Sequence, residues 1–396
     1  MCAKEKLSGL LKICQKYGYI APFRGEKTVL SRVPYGPLGM EMKKNIFDIW
    51  WKTLTMATDV NVFPVSTPVL KWQKEGTTKT GSIQMRSSLS EDTMGHYLSV
   101  LQTVNCQLPF GIVHSGLCFK SDLLVNLNSD ADILMNLDVS SQHNDRNEGK
   151  IASSLISSVW NPLEKTHLML MFFCSPKSFS SWLEYWQKHR LSWWRKFAGM
   201  PTSFSLTKSV SQDVSLQFTT SWEKITFETI TTKSGHLPED LKDQTMACKT
   251  LVPHVIECET NLDLAVLNYL FDAYQERETN SRTRQVLRIH HQLAPYKVTI
   301  TASGATNKLR DLAIYITRQL RKSNVAVFPN PDLYCVSSLD SQFIHFDEMG
   351  IPYCIVLSER TLKTGIAGLR NRDTTITEQV HVKEMKNKLL YYLQMQ

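Results

Sequence analysis

An α+β domain built on an antiparallel sheet, followed by a smaller α/β domain of about 100 residues, is the fold class the sequence predicts. Two observations carry it. Beyond Pro295, strand-like and helix-like segments alternate with few interruptions, as βαβ units do. Before it, short apolar segments are separated by long polar tracts, as in an antiparallel sheet decorated by loops. With 396 residues, 42% of them apolar and 21% charged, the chain has material for two cores and not the composition of a disordered one.

The elements follow in order. Leu7, Leu10, Leu11, Cys14 and Tyr17 recur at helical spacing with lysines between them, which predicts a docked amphipathic helix. A Gly/Pro turn at residues 34–39 feeds a second helix with an apolar stripe of Ile46, Ile49, Trp50 and Leu54, leaving Lys43, Lys44 and Lys52 outward. Three polar tracts, about 66–95, 125–160 and 200–245, read as loop-like insertions. Between them lie the stretch LPFGIVHSGLCFKSD (108–122), read as a strand over Gly111–Val113 continuing through a flexible Ser115-Gly116; the strand LMLMFFCS (168–175); and the helix at 178–197. Residues 280–295 read as a basic linker. The domains then divide as 1–290 and 291–396. In the second, the strand at 297–302 precedes a helix at 306–322 striped by Leu309, Leu312, Ile316 and Leu320, then strands at 324–328, 352–357 and 365–369 and a last helix.

Charge narrows the partners. The 45 Lys and Arg outnumber 37 Asp and Glu, a net +8 that favours polyanions without histone-like density. Residues 277–322 hold ten Lys or Arg against two acids. That one-sidedness marks Arg282, Arg284 and Arg288 as candidates for phosphate contact, against the plainer reading of solvated faces. On the helix at 178–197 the tryptophans read as packing, while Arg190, Arg195 and Lys196 on the opposite face are further DNA-binding candidates. Nine cysteines show no CxxC, and Cys248, His254 and Cys258 lack a second ligand pair, so no metal is expected. His290 and His291, adjacent on an extended segment, would point to opposite faces.

Three motifs resemble class II aminoacyl-tRNA synthetases of the glycyl type. Phe119-Lys120-Ser121-Asp122 stands where that family has Phe-Arg-x-Glu to hold ATP; residues 35–51 are similar to its Gly/Pro entry into a long helix; and Asn261-Leu262-Asp263-Leu264 stands where Gly-x-Asp-Arg opens the third-motif helix. An arginine fork grips phosphate bidentately; lysine is a point charge, leucine has no donor, and Asp122 is a methylene short of glutamate. At roughly 2–4 kcal/mol of transition-state stabilisation per lost donor, the substitutions at Lys120 and Leu264 imply a catalytically inactive core that needs no cofactor. Residues 293–300 and 347–375 resemble the anticodon-binding domain of such synthetases, most specifically in Arg370, Arg372 and Asp373.

Together with HRLSWWRKF (189–197), this combination resembles the accessory subunits of mitochondrial DNA polymerase gamma. The resemblance implies a non-catalytic processivity factor of the mitochondrial matrix and nucleoid. Its partners would be the polymerase catalytic subunit and double-stranded or primer-template DNA, with no membrane. The catalytic subunit would be met at Gly365, Leu369, Arg370, Arg372, Asp373 and the start of the last helix, with Gly365 in a turn requiring positive φ. Homodimers in this family form largely through a helical hairpin between positions matching Val65 and Leu108, an interval that is short and polar here. The competing reading is a glycyl-type synthetase or a tRNA-binding relative.

Overall fold

The computed structural model describes residues 3–21, 33–56, 59–74, 81–119, 163–209, 213–234, 252–279, 282–304, 306–330 and 338–394. The chain opens with helices α1 (Ala3–Lys16) and α2 (Pro37–Met56), strands β1 (Val62–Val65), β2 (Leu70–Lys74) and β3 (Gly81–Met85), and short helices α3 (Ser90–Met94) and α4 (Tyr97–Thr103). Strands β4 (Phe110–Phe119) and β5 (Glu164–Cys174) precede helix α5 (Phe179–Lys196). Strands β6 (Phe204–Lys208), β7 (Val214–Thr219), β8 (Lys224–Ser234) and β9 (His254–Asn261) lead into helix α6 (Leu262–Ala273) and the hairpin β10 (Tyr274–Thr279) and β11 (Arg282–Leu287).

A seven-stranded sheet in the order β1-β4-β5-β9-β8-β7-β6 is the frame of this part. All its pairings are antiparallel except β1 with β4. The apolar run of β5 reflects burial on both faces. Leu168, Leu170 and Phe172 pack with Trp50, Trp186 and Leu267 of helices α2, α5 and α6, whereas Met171 and Phe173 pack with Phe110, Ile112 and Tyr97 under α4. The stripe of α2 holds as Met42, Ile46, Trp50 and Leu54, all buried.

Several expectations need correcting. The tract at 66–95 is not a loop: it holds the β2–β3 hairpin and α3. The tract at 200–245 carries three strands of the main sheet. Val214, Leu216 and Phe218 alternate with half-exposed Ser215 and Gln217, and a sheet edge with one solvated face hides its strands behind polar residues. The tract at 125–160 lies outside the described residues. The basic linker is not all linker: residues 282–287 form β11, the second strand of the β10–β11 hairpin. Nor is Ser115-Gly116 flexible, since β4 runs unbroken through it.

The C-terminal part is β12 (Val298–Ser303), α7 (Asn307–Lys322), β13 (Val327–Phe328), α8 (Leu339–Met349), β14 (Tyr353–Ser358), α9 (Glu359–Thr364), β15 (Ile366–Asn371), β16 (Thr377–His381) and α10 (Val382–Tyr392). Its sheet order is β13-β12-β14-β15-β16, parallel through β14 and antiparallel beyond. Helix α7 buries Leu309, Ala313, Ile316 and Leu320. The two parts share apolar packing: Phe346, Met349 and Ile351 belong to one core with Leu287, Ile289 and Leu293. Helix α1 ties them further, Tyr17 Oη donating to Glu348 at 2.5 Å and Lys16 pairing with the same carboxylate at 2.7 Å. No helix among the described residues is long and apolar enough to cross a membrane.

Candidate functional site

The synthetase-like motifs meet at one end of the main sheet. Phe119, the last residue of β4, pairs with Glu164, and His167 on the same strand pairs with Asn261, from which α6 springs. Lys120 and Asp122 lie outside the described residues. Asn261 caps α6, its side chain accepting from the amides of Asp263 (3.1 Å) and Leu264 (3.2 Å). Leu264 therefore sits in the first turn, packed against the core. Asp263, 3% exposed, accepts from Tyr35 Oη (2.8 Å), Lys43 Nζ (2.6 Å) and the amide of Thr166 (2.9 Å). Lys43 thus does not face outward as expected; a buried carboxylate needs a counter-charge, and Lys43 supplies it. At this sheet end Leu264 provides no donor for phosphate, and the neighbouring ammonium is already engaged.

On the opposite face of the sheet, a residue absent from the sequence reading dominates. Arg86 is 4% exposed; it donates to Leu117 O (2.7 Å), Thr67 O (3.3 Å) and Thr67 Oγ1 (2.9 Å). A Cβ on Gly116 would stand 1.9 Å from its guanidinium, so that glycine permits close approach rather than flexibility. Beside it, Leu89 is fully buried on Cys118 and Met169. Arg86 sits inside the polar tract at 66–95, which has no local pattern, so its role emerges only from the pairing of distant segments.

His114, fully buried, hangs between two hydroxyls, with Thr67 Oγ1 at 3.3 Å from Nε2 and Thr93 Oγ1 at 3.2 Å from Nδ1. Thr93 gives its proton to Leu89 O and Thr67 Oγ1 accepts from Arg86. Nδ1 must then carry the ring proton, and Nε2 accepts from Thr67. Burial, then the charge of Arg86, lowers the imidazole pKa to about 4. A base held neutral in the fold contributes stability above its unfolded pKa near 6.5 and loses it as pH falls toward 4. This group is expected to cost up to about 1.4 kcal/mol per pH unit across that window. Its imidazole NMR signal should stay flat from pH 8 to 5, and a ring titrating near 6.5 would contradict the assignment.

The basic candidates separate on inspection. Arg190 does not lie on a free face: it is 1% exposed and forks onto Glu228 through Nε (2.7 Å) and Nη2 (2.9 Å), over the rings of Trp193 and Trp194. Arg195 donates from Nε and Nη2 to Phe204 O (3.0 and 2.7 Å). Lys196 is exposed and, with Lys188, His189 and Ser192, lines an open groove on α5. Arg284 faces a cleft shared with Asp340 and Asp347, an unfavourable setting for phosphate. Arg288 is 37% exposed and pairs with Asp373 at 3.0 Å. The side chain of Arg282 lies outside the described residues.

The C-terminal candidates are mostly interior. Leu369 is a core residue at 3% exposure. Arg370 makes a two-pronged pair with Asp347 (2.8 Å for each bond) and lies 4.5 Å from the Phe343 ring centroid. Arg372, 2% exposed, donates to Gly350 O (2.8 Å), Ile289 O (2.8 Å) and Leu287 O (3.2 Å). Arg370 thus holds α8 to β15 within the C-terminal part, and Arg372 fastens that part to the segment at the end of β11, instead of presenting an edge. Asp373 precedes a strand, not a helix, and the turn is closed by Asn371, which accepts from the amides of Asp373 (2.7 Å) and Thr374 (3.1 Å). Gly365 lies at a surface turn, at φ +71°, beside exposed Leu362 and Ile366, and Asp373 is exposed in the turn before β16.

Residues 297–391 match the model of the anticodon binding domain. Over 98% of its length the chain is 28% identical to the mitochondrial DNA polymerase subunit gamma-2 of Xenopus laevis, covering 88% of that protein, and over 97% it is 28% identical to the gamma-2 subunit of Bos taurus, covering 85%. The chain resembles gamma-2 subunits from end to end. The glycine–tRNA ligase of Alkaliphilus metalliredigens is 21% identical over 98% of the chain and 98% of that enzyme, so the dual resemblance read from the motifs holds, with gamma-2 subunits the nearer of the two. In fold, the prolyl-tRNA synthetase of Cryptosporidium parvum, solved with L-proline and AMP, matches 97% of this chain and 74% of its own at a TM-score of 0.61 and 12% identity. The architecture is that of a class II synthetase core with an anticodon-binding-type domain.

Proposed function

We propose that this chain is a non-catalytic accessory subunit of the mitochondrial replicative DNA polymerase, acting in the matrix and nucleoid, that binds the catalytic subunit and primer-template DNA and raises processivity. The observation that carries this is the similarity to gamma-2 subunits along nearly the whole chain at 28% identity, against 21% for the glycine–tRNA ligase of comparable coverage. Leu264 supports it, since a leucine at that helix start cannot hold a phosphate. The mechanism is added surface: two bodies bound to one another and to one strand pair leave it more slowly than either alone.

The test measures product length per binding event on primed single-stranded DNA with the catalytic subunit, with and without this chain, beside glycine-dependent ATP–pyrophosphate exchange. Longer products and background exchange are expected. Exchange well above background would replace this reading with the ligase one.

We place the catalytic subunit at the turn between α9 and β15, where Leu362 and Ile366 are 39% and 37% exposed. A Gly365→Glu side chain must adopt positive φ and displace the exposed ring of His381, whose Nε2 would lie 2.6 Å from the new Cβ. The fold should survive with a loss of about 1–2 kcal/mol. Association should weaken at least tenfold, because interface energy concentrates in few residues. A folded variant that binds and stimulates like the parent would move the interface elsewhere.

A further inference from the structure

Where the two parts of the chain meet, a cavity of about 180 Å³ is lined by the loop after α5, the end of α6 and the segment after β11. Arg288, His290 and His291 all face it. The two histidines do not diverge as an extended segment would have made them. The chain turns after Ile289, and their rings lie 4.2 Å apart by centroid. We propose that this cavity is a binding site for a phosphate group, held by Arg288, His290 and His291.

The donors are oriented for it. His290 Nδ1 accepts the amide of Gln292 at 3.2 Å, which puts the ring proton on Nε2. His291 leaves its buried Nε2 without a hydrogen-bond partner. Arg288 uses Nε on Asp373 (3.0 Å) and Nη1 on Gln275 (3.5 Å), with Nη2 to spare. Both carboxylates in the lining are engaged. Asp272 takes the amides of Gly199 and Met200 at 2.5 and 2.8 Å, and Asp373 is shared by Arg288 and Arg372. The surroundings are cationic: beyond burial and His291, it is Lys196, Lys297 and Arg372 that hold the His290 ring pKa down near 4. Asp373 alone opposes this at His291. An anion would relieve the excess. The size suits a single phosphate and its water, being below the roughly 300 Å³ at which pockets for whole small molecules begin.

The test titrates inorganic phosphate into the full chain at constant ionic strength, balanced with sodium chloride, and follows thermal unfolding and the imidazole NMR signals of His290 and His291. A saturable rise in melting temperature with movement of both signals is expected. Arg288→Gln, at a half-exposed position, and His290→Phe, which keeps the ring against Phe197, should each weaken the apparent affinity at least tenfold. A stabilisation that does not saturate, or that both variants retain, would overturn the site. Two sources share this chemistry. If the phosphate belongs to a nucleic acid backbone, duplex DNA displaces the inorganic ion and Arg288→Gln lowers the salt slope of duplex binding by about 0.9. If it is a free phosphate, the duplex leaves the inorganic shift unchanged.

Discussion

A Glu228→Leu chain is expected to lose about 3–5 kcal/mol of stability, because the substitution strands a buried cation. Glu228 on β8 is 1% exposed and accepts four bonds, from Arg190 Nε (2.7 Å) and Nη2 (2.9 Å), Trp194 Nε1 (2.5 Å) and Thr260 Oγ1 (2.8 Å). Remove the carboxylate and four donor groups on three side chains lose their partner in an interior walled by tryptophan. The Arg190→Met, Glu228→Leu double variant removes the stranded charge along with its partner. It should recover most of the loss, since a buried pair replaced by apolar groups of similar volume is often close to neutral. Urea melts of the two single variants and the double would decide it. Losses that simply add would mean that the two residues act independently. DNA affinity is the second readout: Arg190→Met should leave it unchanged in a chain that still folds, since the guanidinium never reaches the surface.

The fate of Arg190 also shows what could be read in advance. Its helix was legible, because aromatic residues three and four apart declare a packed face; so were the stripes of α2 and α7 and the apolar run of β5. What could not be read was which strand lay opposite. Glu228 is 38 residues away, inside a tract whose alternating polar residues conceal β7 and β8. Without that strand in place, an arginine among lysines looks like part of a basic surface. Leu264 was different, because its meaning rests on a side chain that carries no donor in any environment. Lys43 and Asp263 found each other only through the docking of α2 beside α6, a contact across 220 positions that no local pattern encodes.

Arg372 extends the same reasoning to the joint between the two parts, and its loss should be the second large effect. The guanidinium gathers carbonyls from three places: Leu287 at the end of β11, Ile289 in the segment that follows, and Gly350 just beyond α8. Arg372→Met would fill similar volume while leaving three carbonyls without a donor. At about 1–3 kcal/mol for a buried unsatisfied group, and with water able to enter beside the half-exposed Asp373, a net loss of about 3 kcal/mol is expected. Arg372→Lys should fare little better, since one ammonium cannot reproduce a planar fork spread over three acceptors. The loss should be local. Amide exchange should accelerate at residues 287–291 and 350–353 while the amides of β5 and β9 keep their protection. In a polymerase assay, under the proposed function, the variant should keep the contact proposed at the turn of Gly365 yet stimulate the catalytic subunit less, because surfaces on the two parts of the chain would no longer hold a fixed spacing. Unaltered exchange at the joint would show that the shared apolar core and α1 suffice to fix the two parts, and would make Arg372 redundant to their arrangement.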